Sequence, residues 1–290
     1  MKTTVKEKLK NLIEKYSNII RSNPEDYNAL NKRGVYEFYL QDYEGALKDY
    51  RKAVEINPKF VKAYFNIARL YHEQRKFNEA LSNYKIASKL NPNYAEAYCN
   101  SGVVKTTLKD FEGAIKDFNK AIRIDPEFAV AYNNRALAKK ELLQLMSALE
   151  DMNKAIILDK QLADFYNNRG LVKKELKDYE SAVIDYNKAI ELDPSYEKNY
   201  FNRGIVFYFM NKFHEAINDF TSSLEINNEF AEAYYYRGVA KFRLMDYEGS
   251  VKDLSKSYEN SRKTEQSRQA GGKINIGRDY FDSLNHSRAS

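Results

Sequence analysis

The chain has 290 residues, 43% hydrophobic and 14% aromatic, with 24 tyrosines, no tryptophan and one cysteine. No stretch approaches the about 18 consecutive apolar residues of a membrane span, the opening MKTTVKEKLKNL lacks the apolar core of a secretory signal, and Cys99 has no second cysteine for a disulfide or a metal site, so a cytoplasmic protein with no membrane partner, cofactor or metal is expected. The net charge of +6 sits at the ends, +4 in the first 23 residues and +3 in the last 30, which leaves residues 24–260 near neutral, without the clustered Lys and Arg that a nucleic-acid surface needs.

Proline sets the organisation. Pro24, Pro58, Pro92 and Pro126 recur every 34 residues and Pro194 follows at twice that interval, the signature of a tandem array. Residues 1–26 predict one helix, with Leu9, Leu12, Tyr16 and Ile19 on a shared face, read as a cap over the first repeat. Lys2, Lys6, Lys8, Lys10 and Lys15 carry the other reading, a basic helix at a membrane surface. Residues 27–260 divide into seven units, 27–60, 61–94, 95–128, 129–162, 163–196, 197–230 and 231–260, each long enough for two helices of about four turns.

The columns of this register are physically consistent. Position 8 is Gly34, Ala68, Gly102, Ala136, Gly170, Gly204 and Gly238, and position 20 is Ala46, Ala80, Ala114, Ala148, Ala182, Ala216 and Ser250, so two helix backbones can approach closely. Large side chains surround them: tyrosine at position 4 from Tyr64 to Tyr234, and Tyr50, Tyr84, Phe118, Met152, Tyr186, Phe220 and Leu254 at position 24. Prolines end the second helix, because the residue before proline is pushed out of the helical region. Lys160 and Asn228 replace proline at two joints, where a softer or differently angled connection is expected.

At these columns the sequence resembles the tetratricopeptide repeat family over residues 27–260, as in AEAYCNSGVVKTTLKDFEGAIKDFNKAIRIDP. The resemblance implies an all-α fold, a right-handed superhelical solenoid of seven helix pairs with a capping N-terminal helix, whose first helices line a concave groove that binds proteins or peptides. After Asn260 the pattern weakens. GRDYFDSL (277–284) echoes LMDYEGSV (244–251), so residues 261–290 read as a tail broken at Gly271-Gly272 or as a decayed eighth repeat, with Tyr280, Phe281 and Leu284 able to fold back on the last repeat.

Catalysis is not expected, since His72, His214 and His286 lie far apart in the repeat register and no phosphate loop, zinc spacing or supported carboxylate pair occurs. Position 6, which faces the groove in the resembled family, reads Lys32, Asn66, Asn100, Asn134, Asn168, Asn202 and Tyr236. A carboxamide donates and accepts, so five asparagines in step could pair with the backbone of an extended peptide. This is similar to the asparagine ladder of O-linked N-acetylglucosamine transferase, although asparagine is also common at this position for local geometry. Aromatic anchors are expected beside it, Phe38 and Tyr39 near one end and Phe201, Tyr208, Phe209, Tyr235, Tyr236 and Phe242 near the other. The family's clamp for chaperone carboxyl termini needs lysine at position 5 and asparagine at position 9. Here these read Asn31 and Val35, Asn133 and Leu137, Asn167 and Leu171, so chaperone tails are not expected as partners. Position 7 is Arg33, Arg135, Arg169, Arg203 and Arg237, each with aspartate at position 23 of its repeat, which predicts one ion pair per repeat. The expected function is therefore a monomeric scaffold or adaptor. The alternative is a structural subunit that self-associates through its last repeat, where Ser250 and Ser257 weaken the core pattern.

Overall fold

In the computed structural model, residues 4–269 are described, with their side chains as far as residue 263. Lys2, Gly271, Gly272, Tyr280, Phe281, Leu284, His286 and the echo at 277–284 lie outside the described residues. The described residues form fifteen α-helices and no strand: α1 (Val5–Ser22), α2 (Tyr27–Tyr39), α3 (Tyr43–Ile56), α4 (Val61–Glu73), α5 (Phe77–Leu90), α6 (Ala95–Thr107), α7 (Phe111–Ile124), α8 (Ala129–Glu141), α9 (Leu145–Leu158), α10 (Ala163–Glu175), α11 (Tyr179–Leu192), α12 (Glu197–Phe209), α13 (Phe213–Ile226), α14 (Ala231–Arg243) and α15 (Tyr247–Gln269). They fall into two compact units, α1 to α8 and α9 to α15, divided after Leu142.

Within each unit the small and large columns meet as size dictates. A methyl group added to Gly102 would lie 2.6 Å from the Phe118 ring, and one added to Gly170 would lie 2.7 Å from Tyr186. The position-24 ring therefore occupies the space that glycine vacates, and burying such a ring contributes about 1.5–3 kcal/mol. In unit 1, Tyr84 and Ala87 of α5 pack on Ala97 and Val104 of α6; in unit 2, Tyr186 of α11 packs on Val206 of α12.

The arginine column ties these layers together. Arg33 donates from Nε and Nη2 to both carboxylate oxygens of Asp49, at 2.6 and 2.7 Å, and from Nη1 to Ser17 of α1 at 3.1 Å. Arg203 repeats the pattern with Asp219 on α13 and Asn187 on α11, and Arg237 with Asp253 on α15 and Thr221 on α13. Arg203 and Arg237 thus each reach the second helix of their own repeat and that of the repeat before, and Arg33 reaches α1 instead. Position-4 rings stack over the first two, Tyr200 on Arg203 and Tyr234 on Arg237. Ser17 takes the place that Asn187 or Thr221 fills elsewhere, so α1 is in register as a lone second helix. The third repeat keeps the charge by other means: Ser101 donates to Asp117, and Lys105 Nζ lies 2.6 Å from the same carboxylate.

Turns follow a fixed chemistry. First helices end with a left-handed residue, φ between 58° and 64° at Gln41, Arg75, Lys109, Leu143, Lys177, Asn211 and Met245. In the first repeat the Gln41 and Asp42 N–H groups return to the Phe38 and Glu37 carbonyls, closing the helix end. Second helices end at Asn or Asp, whose side chain accepts the N–H two residues on; Asn57, Asn91, Asp125 and Asp193 all do so before proline. Asn227 makes the same bond without proline and keeps the ψ of 93° seen at Asp125, so that joint is not differently angled. Asp159, before Lys160, keeps the bond but opens to ψ 110°. The last repeat departs further. Ser261 stands where every other repeat has Asn or Asp, and α15 runs on past Asn260 to Gln269.

Asp219 has only Arg203 as its described cationic partner, whereas Asp185 has both Arg169 and Lys173. Arg203→Ala is expected to cost on the order of 3 kcal/mol by stranding a buried carboxylate, more than either Arg169→Ala or the double change Arg203→Ala/Asp219→Ala. Urea midpoints measure this, and equal losses for the single and double variants would remove the argument. Tyr84 and Tyr186 bury hydroxyl groups without hydrogen-bond partners in a column that elsewhere holds Phe118 and Phe220. Tyr84→Phe and Tyr186→Phe are therefore expected to leave stability, followed by thermal unfolding, unchanged or to raise it by up to about 1 kcal/mol each.

Candidate peptide-binding groove

The first helices of each repeat carry the asparagine column, and these carboxamides are engaged within the fold. In unit 1, Asn66 Nδ2 donates to Asn31 Oδ1 on the preceding first helix at 2.8 Å. Asn134 Nδ2 lies 4.0 Å from Cys99 Sγ, and Asn133 donates to Asn134 at 3.4 Å. Asn66, Asn100 and Asn134 are buried. In unit 2, Asn202 Nδ2 donates to Asn167 Oδ1 at 2.9 Å, and Asn202 and Asn168 are half-buried. Position 6 of one repeat thus meets position 5 of the repeat before, 35 residues away. Phe201 and Tyr236 occupy the same pair of positions as rings, with centroids 5.8 Å apart. Single-column reading misses this coupling; reading the sequence at an offset of 35 would find it as Asn with Asn at 66/31 and 202/167 and aromatic with aromatic at 236/201, while Asn100 and Asn134 meet Phe65 and Cys99 at that offset. Such a bond uses one N–H of the donor and one lone pair of the acceptor, so each pair retains further donors and acceptors.

The expected aromatic anchors divide into separate groups. Phe201 is wedged among Phe220, Phe230 and Tyr236 at 4.8–5.8 Å, and Tyr236 leans on Phe220, so both are largely part of the packing. Tyr235 stands on Tyr236 with about half its surface open. Tyr208 and Phe209 belong to a second run at the turn edge, where Phe209 stacks on Tyr179, Tyr208 packs on Phe213, and the Arg243 guanidinium lies 4.7 Å over Phe213. Phe242 packs on Tyr247 in the last repeat. In unit 1, Phe38 contacts Tyr39 and Tyr43 beneath the Arg69 guanidinium, and Lys32 sits over the Tyr16 ring of α1. Position 12 pairs with position 17 across the left-handed turn, so these rings brace the helix joint, and of the position-12 rings Phe242 keeps more than half its surface open.

Electrostatics in this region follow burial. Burial lowers the His72 imidazole to about 4, which keeps it neutral, and raises the Cys99 thiol to about 12, which keeps it protonated. Asp219, with one cation, is raised by burial against the Arg203 bond. At Asp253 burial also raises, but Arg237 and Lys241 together outweigh it. Glu37 was missed by sequence reasoning. It occupies position 11, where Lys173 and Lys241 pair with the aspartate in other repeats, and its Oε2 is buried without a hydrogen-bond partner. Burial first, then the Asp49 charge, pushes its carboxyl up to about 7, although Arg33 Nε lies 3.7 Å away. Among the described residues no group of three His, Cys, Asp or Glu could hold a metal ion, and no helix is long and apolar enough to cross a membrane.

Family profiles described as TPR repeat match residues 36–75 and 68–108, and as tetratricopeptide repeat residues 95–128 and 163–196. Residues 36–128 and 163–196 are therefore tetratricopeptide repeats. A human relative, tetratricopeptide repeat protein 6, is 38% identical over 50 residues, 17% of this tetratricopeptide chain and 10% of the relative. Among solved structures, a chain of the APC/C hetero-tetramer Cut9-Hcn1 superimposes with TM-score 0.71 at 18% identity, over 81% of this chain and 46% of that one. A tetratricopeptide repeat protein from Parabacteroides merdae gives 0.65 at 21%, over 80% and 92%. YrrB, a TPR protein with an unusual peptide-binding site, gives 0.50 at 21%, over 65% and 97%. At these identities the structures share the fold of this tetratricopeptide chain, which spans less than half of the Cut9-Hcn1 chain.

The folded-state value of Glu37 lies above its ordinary 4.5, so the folded chain binds this proton more tightly than the unfolded one. The stability it contributes is present in full below about 4.5 and is lost as pH rises through about 7. Glu37→Gln is expected to flatten the thermal midpoint between these values, and Glu37→Lys, copying repeats five and seven, to raise it at pH 8. A wild-type slope retained in Glu37→Gln would count against the assignment.

Proposed function

We propose that this tetratricopeptide array is a scaffold that holds an extended segment of a partner protein against its first helices, and that it is not an enzyme. The observation that carries the reading is the paired carboxamide column. Asn66, Asn100 and Asn134 in one unit and Asn168 and Asn202 in the other hold the same position in their repeats, and the pairs Asn66–Asn31 and Asn202–Asn167 retain hydrogen-bonding capacity. Extended chain advances about 3.3–3.6 Å per residue and packed helices stand about 8–10 Å apart, so each rung meets every third residue or so. At about 0.5–1.5 kcal/mol net per bond, the rungs contribute affinity without reading side chains. Selectivity comes from open rings, Tyr235 and Phe209 first, since Phe201 and Tyr236 are committed to packing. A protein partner suits the near-neutral body of the chain better than nucleic acid does. YrrB shares the fold and has a peptide-binding site; the assignment of these particular residues rests on their own geometry.

The test is retention of a random 20-residue peptide library, read by sequencing the bound fraction. Phe209→Ala/Tyr235→Ala is expected to lower retention of the enriched peptides about tenfold or more, as removal of an anchor ring does. Asn100→Ala/Asn134→Ala/Asn168→Ala is expected to lower it for all peptides alike, with a native helical spectrum. Retention unchanged in both variants would place binding elsewhere on the molecule.

A further inference from the structure

In the repeats before the last, the second helix carries an apolar stripe at positions 17, 21, 24 and 28, broken at Ser88 in repeat two. In repeat one these are Tyr43, Leu47, Tyr50 and Val54, packed with Ile67 and Leu70 of α4; in repeat five Tyr179, Val183 and Tyr186 pack with Val206 and Met210 from the next repeat. On α15 the same columns are Tyr247, Val251, Leu254 and Tyr258, and they stand open at 56%, 64%, 37% and 66%. Spaced by four, three and four residues, they form one narrow apolar row along the helix. Phe242 at 58% and Met245 at 76% extend it across the turn.

We propose that this row pairs with the same row of a second copy of the chain, the two α15 helices antiparallel about a twofold axis between Lys252 and Asp253. An isologous contact requires a surface complementary to itself. The order Tyr, Val, Leu, Tyr satisfies that: reversed, it sets Tyr247 against Tyr258 of the second copy and Val251 against Leu254, ring on ring and aliphatic on aliphatic. The area fits as well. Aromatic side chains bury about 150–250 Å² each, so three half-open rings with Val251, Leu254 and Met245 offer roughly 600 Å² per copy. Two copies reach the lower edge of the about 1,200–2,000 Å² of specific interfaces. The association is therefore weak, with single chains at low micromolar concentration and pairs at hundreds of micromolar. Its centre, Val251 to Tyr258 on α15, lies off the first helices on which peptide capture is proposed.

Sedimentation velocity of the full chain from 1 to 300 μM tests it. The expected result is a shift from one copy to two, moved at least tenfold to higher concentration by Val251→Asp and by Tyr258→Asp, both exposed and both retaining native helicity and peptide retention. Direction is read by mixing Val251→Cys with Leu254→Cys under oxidation. A mixed disulfide between the two variants is expected, and dominance of like-with-like links would mean a parallel contact and overturn the arrangement. One copy at every concentration overturns the proposal, whether residues 270–290 or another protein fills the face. Association indifferent to both aspartates does the same.

Discussion

The guanidinium at position 7 is the constraint on which the repeat geometry depends. A planar fork can satisfy both oxygens of one carboxylate only in a fixed orientation, and once Arg203 is held by Asp219 its remaining nitrogen has one place to go, Asn187 of the preceding repeat. The bond therefore specifies the angle between successive pairs as well as the spacing within a pair. Apolar packing at positions 8, 20 and 24 supplies most of the stabilisation but tolerates sliding. The ion pair does not. This separation explains why repeats two and three, which lack the arginine, keep the same small and aromatic columns while making other contacts there, Ile67 in the core with Tyr50 of the preceding second helix and Lys105 on Asp117.

Most of the fold was legible because a 34-residue period repeats each physical requirement seven times, and an accidental match at one position is corrected by the other six. Small residues at 8 and 20 beside rings at 24 leave little choice of architecture. What was not legible lies off the columns. The Asn31–Asn66 bond joins different positions in different repeats, so no single column displays it. Glu37 is one charge reversal in a surface-looking column, and only the packing of α2 on α3 shows that its second oxygen is enclosed. The extension of α15 past Asn260 goes with the missing Asx at position 31, since Asp159 and Asn227 end their helices without proline, and that absence reads in sequence as decay instead of as a continuing helix.

The aromatic residues illustrate a limit of helical periodicity. Phe201 and Phe209 are both on α12 and both read as groove rings, yet Phe201 fills the space between repeats while Phe209 leans on Tyr179 with an open face. Periodicity gives the side of the helix; the size of the neighbour one repeat away decides whether any of the ring remains for a partner. Binding surface in such an array is what packing leaves over, and it can move along the chain by exchanging ring for carboxamide at one pair of positions without altering the backbone.

The left-handed residue that closes each first helix bears on how short such an array can be. None of the seven is glycine, and a side chain there carries about 1–2 kcal/mol of steric cost. That penalty recurs with every helix pair, as do the contacts that offset it, but a fragment with n pairs has only n − 1 interfaces between them. One or two pairs alone would hold too few interfaces to outweigh their own turns. Cooperativity in this chain is thus written into its corners: the array must be long in order to be folded at all.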